Sequence, residues 1–274
     1  MSPRNKTPMI GADLDGKVVF VTGGGTGIGS ATARRLSDRG ARVAIVGRRI
    51  EPLQEIADQT GALPLACDVS DTAAVEAAVA EAVAQLGGLD IVVNNAGTAG
   101  RGGIEAIDDA TWDEMLDVNL KGPVRVTRAA VPHLRAAGGG SVVNIASIGG
   151  LFAAKHSVTY GTTKAALLGL TRSMAVDLGV DGIRVNTLCP GWVDTPMAAG
   201  AAELTAEVHE VSTDDARALM VHRNPIQRLS NPDEIAACVE FLACDASSFI
   251  TGTILIADGG QSIVDLGTLS MFGL

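Results

Sequence analysis

The sequence predicts a single-domain α/β fold: a doubly wound, seven-stranded parallel sheet with helices on both faces. Two observations carry this expectation. Short β-branched runs alternate with longer Ala- and Leu-rich runs along the chain, the rhythm of repeated right-handed βαβ units. The strand runs are also almost wholly apolar, as in Val18-Val19-Phe20-Val21. A strand without polar alternation is one buried on both faces, as in a parallel sheet. A length of 274 residues suits one large α/β core, and no composition shift marks a second domain.

In chain order, the β-branched run 17–21 is read as the first strand, and a glycine-rich turn leads into a helical pattern over 28–39. A second strand at 42–46 is followed by a helix at 51–59, and a third at 63–67 by an Ala-rich helix at 73–86. The fourth strand, 90–93, precedes a long helical pattern over 111–137 that contains Pro132. Proline lacks the N–H that a helix interior needs, so a kink or break is expected there. Glycines 138–140 end that segment before a fifth strand at 141–146, a helix at 159–178 and a sixth strand at 184–188. Residues 196–225 fall out of this rhythm; their Ala-rich, mixed-charge sequence reads as short helices, and such insertions are often lids or binding loops. A helix at 232–244 and a seventh strand at 253–256 close the pattern.

Composition excludes several classes. At 47% hydrophobic and 19% charged the chain is globular. A formal net charge of −10 disfavours nucleic acid and anionic membrane surfaces as partners. No run reads as a membrane span or secretory signal. Cys67, Cys189, Cys238 and Cys244 form no Cys-x-x-Cys pair, and the four histidines are scattered. Neither a disulfide framework nor a metal site is therefore expected, and a cytoplasmic location is.

Two local patterns point to chemistry. Thr22-Gly23-Gly24-Gly25-Thr26-Gly27-Ile28-Gly29 follows a strand and opens a helix, the context in which glycines let the backbone approach a pyrophosphate at a helix N-terminus. Tyr160, the one tyrosine of the chain, stands four positions before Lys164, so a helix puts phenol and ammonium on one face. A cation there is expected to lower the phenol pKa toward neutrality and make it a usable acid or base.

Glycines 23, 27 and 29 fit Thr-Gly-x-x-x-Gly-x-Gly, and from Leu14 to Gly260 the chain resembles the short-chain dehydrogenase/reductase family, of the common one-domain Rossmann-type architecture. The resemblance implies a nicotinamide cofactor held by Gly23, Gly25, Thr26, Gly27, Ile28 and Gly29. Asp68-Val69 matches the pair that contacts adenine, and Asn94-Asn95-Ala96-Gly97 the element that props the sheet beside the cofactor. Pro190-Gly191, with Val193 and Thr195, matches the segment that holds the nicotinamide carboxamide. It further implies Tyr160 as general acid/base and Lys164 as the group that lowers its pKa and holds the nicotinamide ribose. Ser147 is implied as the hydrogen-bond partner of the substrate oxygen, and Asn119 as a further member of a proton relay through water and Lys164.

Cofactor choice turns on the end of the second strand. An acidic residue there binds a ribose diol, whereas arginine welcomes a 2′-phosphate. Val46-Gly47-Arg48-Arg49 offers arginines, so NADP(H) is expected over NAD(H), although Thr26 stands where many NADP-dependent relatives carry a basic residue. The reaction expected is hydride transfer between nicotinamide and a ketone or secondary alcohol. One alternative is a 3-oxoacyl-thioester reductase, which Pro225-Ile226-Gln227-Arg228-Leu229 resembles. Gly138–Gly140 and Asp181-Gly182 lack the basic residues that would meet an acidic carrier. A catalytically silent nucleotide-binding regulator is the alternative from another class, and the intact catalytic set argues against it. Residues 1–15 are read as an arm and 196–225 as the substrate-binding segment. The apolar tail 261–274 is expected to pack on a neighbouring subunit of a homotetramer.

Overall fold

The computed structural model describes residues 14–100 and 102–265; most of the arm and the end of the tail lie outside them. Seven strands form one parallel sheet in the order β3-β2-β1-β4-β5-β6-β7. They are β1 (Val18–Thr22), β2 (Arg42–Gly47), β3 (Leu63–Ala66), β4 (Ile91–Asn94), β5 (Gly140–Ile145), β6 (Ile183–Pro190) and β7 (Ile254–Ala257). Each lies within two residues of its expected position.

The apolar run of β1 shows why both faces are covered. Val19 and Val21 point into one core with Leu36 of α1 (Gly27–Asp38), Leu53 of α2 (Ile50–Thr60) and Val239 of α9 (Pro232–Ala243). Val18 and Phe20 point into the other, against α3 (Thr72–Leu86), α5 (Gly122–Ala136) and α6 (Val158–Leu178). Strand order reverses between β1 and β4, leaving a crevice beyond their carboxyl ends, where doubly wound sheets bind ligands. The segment 196–225 forms α7 (Pro196–His209) and α8 (Thr213–Val221).

The long helical pattern breaks elsewhere than expected. α4 (Asp109–Leu116) passes into a π-helical turn over Asp117–Lys121, and α5 then runs unbroken through Pro132 to Ala136. Pro132 and Arg128, whose carbonyl loses its donor, are both exposed, so water can satisfy that carbonyl and the helix survives. The π turn carries one extra residue per turn and turns Asn119 inward, to 1% exposure.

No described helix is long and apolar enough to cross a membrane. Two cavities stand out. The larger, about 570 Å³, opens at the amino-terminal edge of the strands, lined by Asp90, Ser141 and Arg184 among others. The smaller, about 140 Å³, lies at the carboxyl ends and is lined by the glycine turn and by residues that follow β2, β3 and β4.

Candidate active site

β1 ends at Thr22, and the chain turns through Gly23 and Gly27, with φ of +65° and +55°. A Cβ at Gly29 would stand 2.1 Å from the Gly23 carbonyl oxygen, and one at Gly25 would meet Pro52 at 3.0 Å. The turn therefore needs its glycines to close. Thr26 is the N-cap of α1 yet makes no side-chain capping bond, and the first turn holds no acidic residue. Its N–H groups and positive dipole end are left for an anion, while Ile28 packs on the core behind them.

The 140 Å³ cleft beside this turn is lined by Gly23, Arg48, Asp68, Val69, Ala96 and Gly97, among others. Arg48 ends the β2 connection as expected, whereas Arg49 serves as the N-cap position of α2 and does not line the cleft. Burial alone would raise the Asp68 pKa. Hydrogen bonds from the Ser70 hydroxyl and N–H, with the charges of Arg48 and Arg125, outweigh it and hold the carboxyl below its ordinary value. The Asn95 side chain donates to the carbonyls of Thr22 and Gly23, at 2.9 and 3.1 Å. Its amide is thus spent on bracing the glycine turn against β4. Thr22, the first residue of the glycine motif, completes the brace: its hydroxyl accepts from the N–H groups of Asn95 and Ala96, both at 2.9 Å.

The other side of the crevice carries Ser147, Tyr160, Lys164 and Asn119. Ser147 lies just past β5 and accepts the Gly149 N–H at 3.0 Å, and its side chain also hydrogen-bonds Tyr160. Tyr160 and Lys164 sit on one face of α6, with Nζ 5.8 Å from the ring centroid. Lys164 is 5% exposed and donates to the Ile145 carbonyl at 2.9 Å. Asn119 accepts from the Thr98 N–H at 2.8 Å and donates to the Thr98 carbonyl and the Thr163 hydroxyl. Thr163 in turn donates to the Tyr160 carbonyl at 2.9 Å. A Cβ on Gly97 would lie 3.2 Å from Asn119 Oδ1 and 3.5 Å from Lys164 Nζ. A side chain there would press on Asn119 and stand between the cleft and the lysine.

Electrostatics correct one expectation. Burial pushes the Tyr160 pKa up; the Ser147 hydrogen bond opposes this, and the Cys189 thiol adds to it. Proximity to Lys164 therefore does not leave the phenol lowered. The larger effect falls on Lys164, which burial brings down from 10.5 to about 8, with Cys189 opposing. Cys189 itself is fully buried, and burial raises it to about 11.

Pro190 ends β6 and Gly191 follows it, where a Cβ would collide with Asp258 at 2.8 Å. Val193 is buried beyond them. Thr195 caps α7, accepting the Ala198 N–H at 3.3 Å, and its methyl lies 3.1 Å from where a Cβ on Gly27 would be. The entrance to the α7–α8 segment thus rests on the glycine turn. Among the described residues no cluster could hold a metal ion.

The family described as enoyl-(acyl carrier protein) reductase matches residues 23–262. Cis-4-hydroxycyclohexanecarboxylate dehydrogenase of Sinomonas cyclohexanicum is 39% identical over 90% of this chain and 97% of its own. Oxidoreductase UcpA of Escherichia coli K12 is 37% identical over 91% and 96%. The ligand-free aldohexose dehydrogenase of Thermoplasma acidophilum superposes with a TM-score of 0.86 at 36% identity, covering 93% of this chain and 97% of its own. With its parallel sheet, glycine turn and crevice, the chain belongs to the short-chain dehydrogenase/reductase family of nicotinamide-dependent oxidoreductases and, with its dehydrogenase relatives, acts on CH–OH groups.

Proposed function

We propose that the protein interconverts a ketone and a secondary alcohol with Tyr160 as general acid/base. The observation that carries this is the meeting of Tyr160, Ser147 and Lys164 at the carboxyl end of β5, with Gly97 joining them to the cleft. The nicotinamide, when bound, supplies or takes up the hydride. Gly23, Gly25, Thr26, Gly27 and Ile28 would hold its pyrophosphate through backbone N–H groups, Asp68 and Val69 its adenine, and Pro190, Gly191, Val193 and Thr195 its carboxamide. Asn95 and Ala96 brace that cradle through Thr22.

The raised phenol pKa keeps Tyr160 protonated near neutral pH, the form that can donate to a developing alkoxide. Ser147 would hydrogen-bond the same substrate oxygen. Lys164, near 8, holds a proton that can be returned to the phenolate, and Asn119 fixes the backbone of the Thr98 loop against α6. Tyr160→Phe removes only the hydroxyl, and turnover of every accepted carbonyl should fall by about 10²–10⁴ with the fold intact by circular dichroism. Unchanged turnover would refute the assignment.

NADP(H) is proposed over NAD(H), because Arg48 lines the cleft and no carboxylate ends β2. Faster turnover with NADH at saturating substrate would reverse it. A cytoplasmic homotetramer is proposed as well. The free cysteines agree with reducing surroundings, and the exposed Val176, Val180 and Phe249 with apolar faces that need covering.

A further inference from the structure

We propose that Lys155 and His156 form an anion-recognising rim over the crevice, so that the substrate class is a hydroxy or keto acid whose carboxylate is separated from the reacting carbon by an apolar body. This rests on the hydride-transfer reading above and names the substrate of that same site.

The loop between Leu151 and Ser157 has Ser147 upstream and Tyr160 downstream, so both ends are anchored at the reacting centre. Within it His156 adopts φ +59°, in the left-handed region that non-glycine residues seldom occupy. Surrounding contacts hold it there, as such strain requires. The His156 carbonyl accepts the Gly102 N–H at 2.9 Å, and Gly102 bridges Ser157. A Cβ on Gly103 would lie 3.4 Å from His156 Nδ1, so the imidazole stands over the neighbouring loop. Strain and bridge together join the loop after β4 to the loop after β5 and fix the rim in place.

Charge and polarity give the rim its chemistry. Lys155 and His156 are both exposed. The basic residues Lys17, Lys121, Arg135 and Arg228, also exposed, each meet a carboxylate within 3.2 Å. Among the described residues Lys155 has no such partner, and neither have the exposed Arg48, Arg49, Arg128, Arg172 and Arg223, but of these Lys155 alone stands in the loop between Ser147 and Tyr160. The loop after β4 carries two carboxylates, Glu105 and Asp108, the latter engaged as the N-cap of α4 by accepting the Thr111 N–H at 2.7 Å, and the loop 148–157 carries none. Phe152 and Ile104, from the same two loops, are 53% and 75% exposed. Two apolar side chains beside two nitrogen donors suit an apolar ligand ending in an anion, whereas a polyhydroxylated neutral ligand would waste the apolar surface.

The test compares 4-hydroxycyclohexanecarboxylate with its methyl ester, the same secondary alcohol with the charge removed, using wild type, Lys155→Gln and His156→Asn. Asparagine tolerates the left-handed backbone, so the loop is kept. Wild type should favour the acid, and each variant should raise KM for the acid about three- to tenfold while leaving the ester unchanged. Equal use of acid and ester by wild type, or variants that alter both equally, would overturn the rim while the hydride-transfer reading stands. No turnover of acid, ester or any neutral secondary alcohol in a wider panel would sink both.

Discussion

Lys164 and Arg184 are cations withdrawn from water at opposite ends of the same sheet, and they are provided for very differently. Arg184, at the amino end of β6, donates to the carbonyls of Leu242, Ala243 and Cys244 and to the Ser247 hydroxyl, at 2.8–3.2 Å. Those carbonyls end α9, so one guanidinium satisfies the acceptors that a helix leaves orphaned and meets the negative end of its dipole. Lys164 is more deeply buried, yet among the described residues it has a single acceptor, the Ile145 carbonyl. An ammonium carries three donors. A buried cation with its donors matched holds structure; one kept with donors spare, its pKa brought to about 8, is held for chemistry.

The contrast breaks most visibly in kinetics. Lys164→Met should lower turnover by about 10²–10⁴, with a melting temperature equal to or above wild type, because a buried charge is removed. A large loss of stability with unchanged turnover would place Lys164 with Arg184. The reverse is expected of Arg184→Leu. It should cost about 2–4 kcal/mol, since three helix-end carbonyls lose a charged donor, read as a shifted urea midpoint, with kcat per folded molecule unchanged.

The smallest effect is one of pH. Below about 8, Lys164 is protonated in both folded and unfolded chains, and the penalty of its burial is fully present. Between about 8 and 10.5 the folded state has released the proton while the unfolded state keeps it, so stability should rise with pH, by at most about 3 kcal/mol. Burial also raises Cys67 and Cys189 from 9 to about 11. Thiols held up in this way lower stability as pH rises from 9 to 11, opposing the lysine. The quantity to measure is therefore wild type minus Lys164→Met. A flat difference from pH 7.5 to 10 would show that the lysine is not depressed.

Much of this was legible in residues close in sequence. The glycine turn, the Asn94–Gly97 element and the Tyr160–Lys164 pair are local patterns, and the strands follow from apolar runs whose two faces are both buried. What was not legible depends on depth or on distant pairing. The i, i+4 spacing reveals that Lys164 is near Tyr160 but not that both are withdrawn from water, which is why the expected lowering of the phenol pKa is a raising. Asn119 depends on partners 21 and 44 residues away. Asp117–Lys121 holds neither Gly nor Pro, so 111–137 read as one helix, and Pro132 drew the irregularity away from Gly122-Pro123, which follow the π turn directly.

The π turn at Asp117–Lys121 also acts as a permanent insertion. Removing one of its five residues to restore a regular helix would rotate everything after it by about 100° relative to α4. Val126, Ala130 and Leu134, which now cover the sheet, would swing toward its margin. The inward aim of one asparagine is thus locked to the register of a whole helix, and neither can drift without the other.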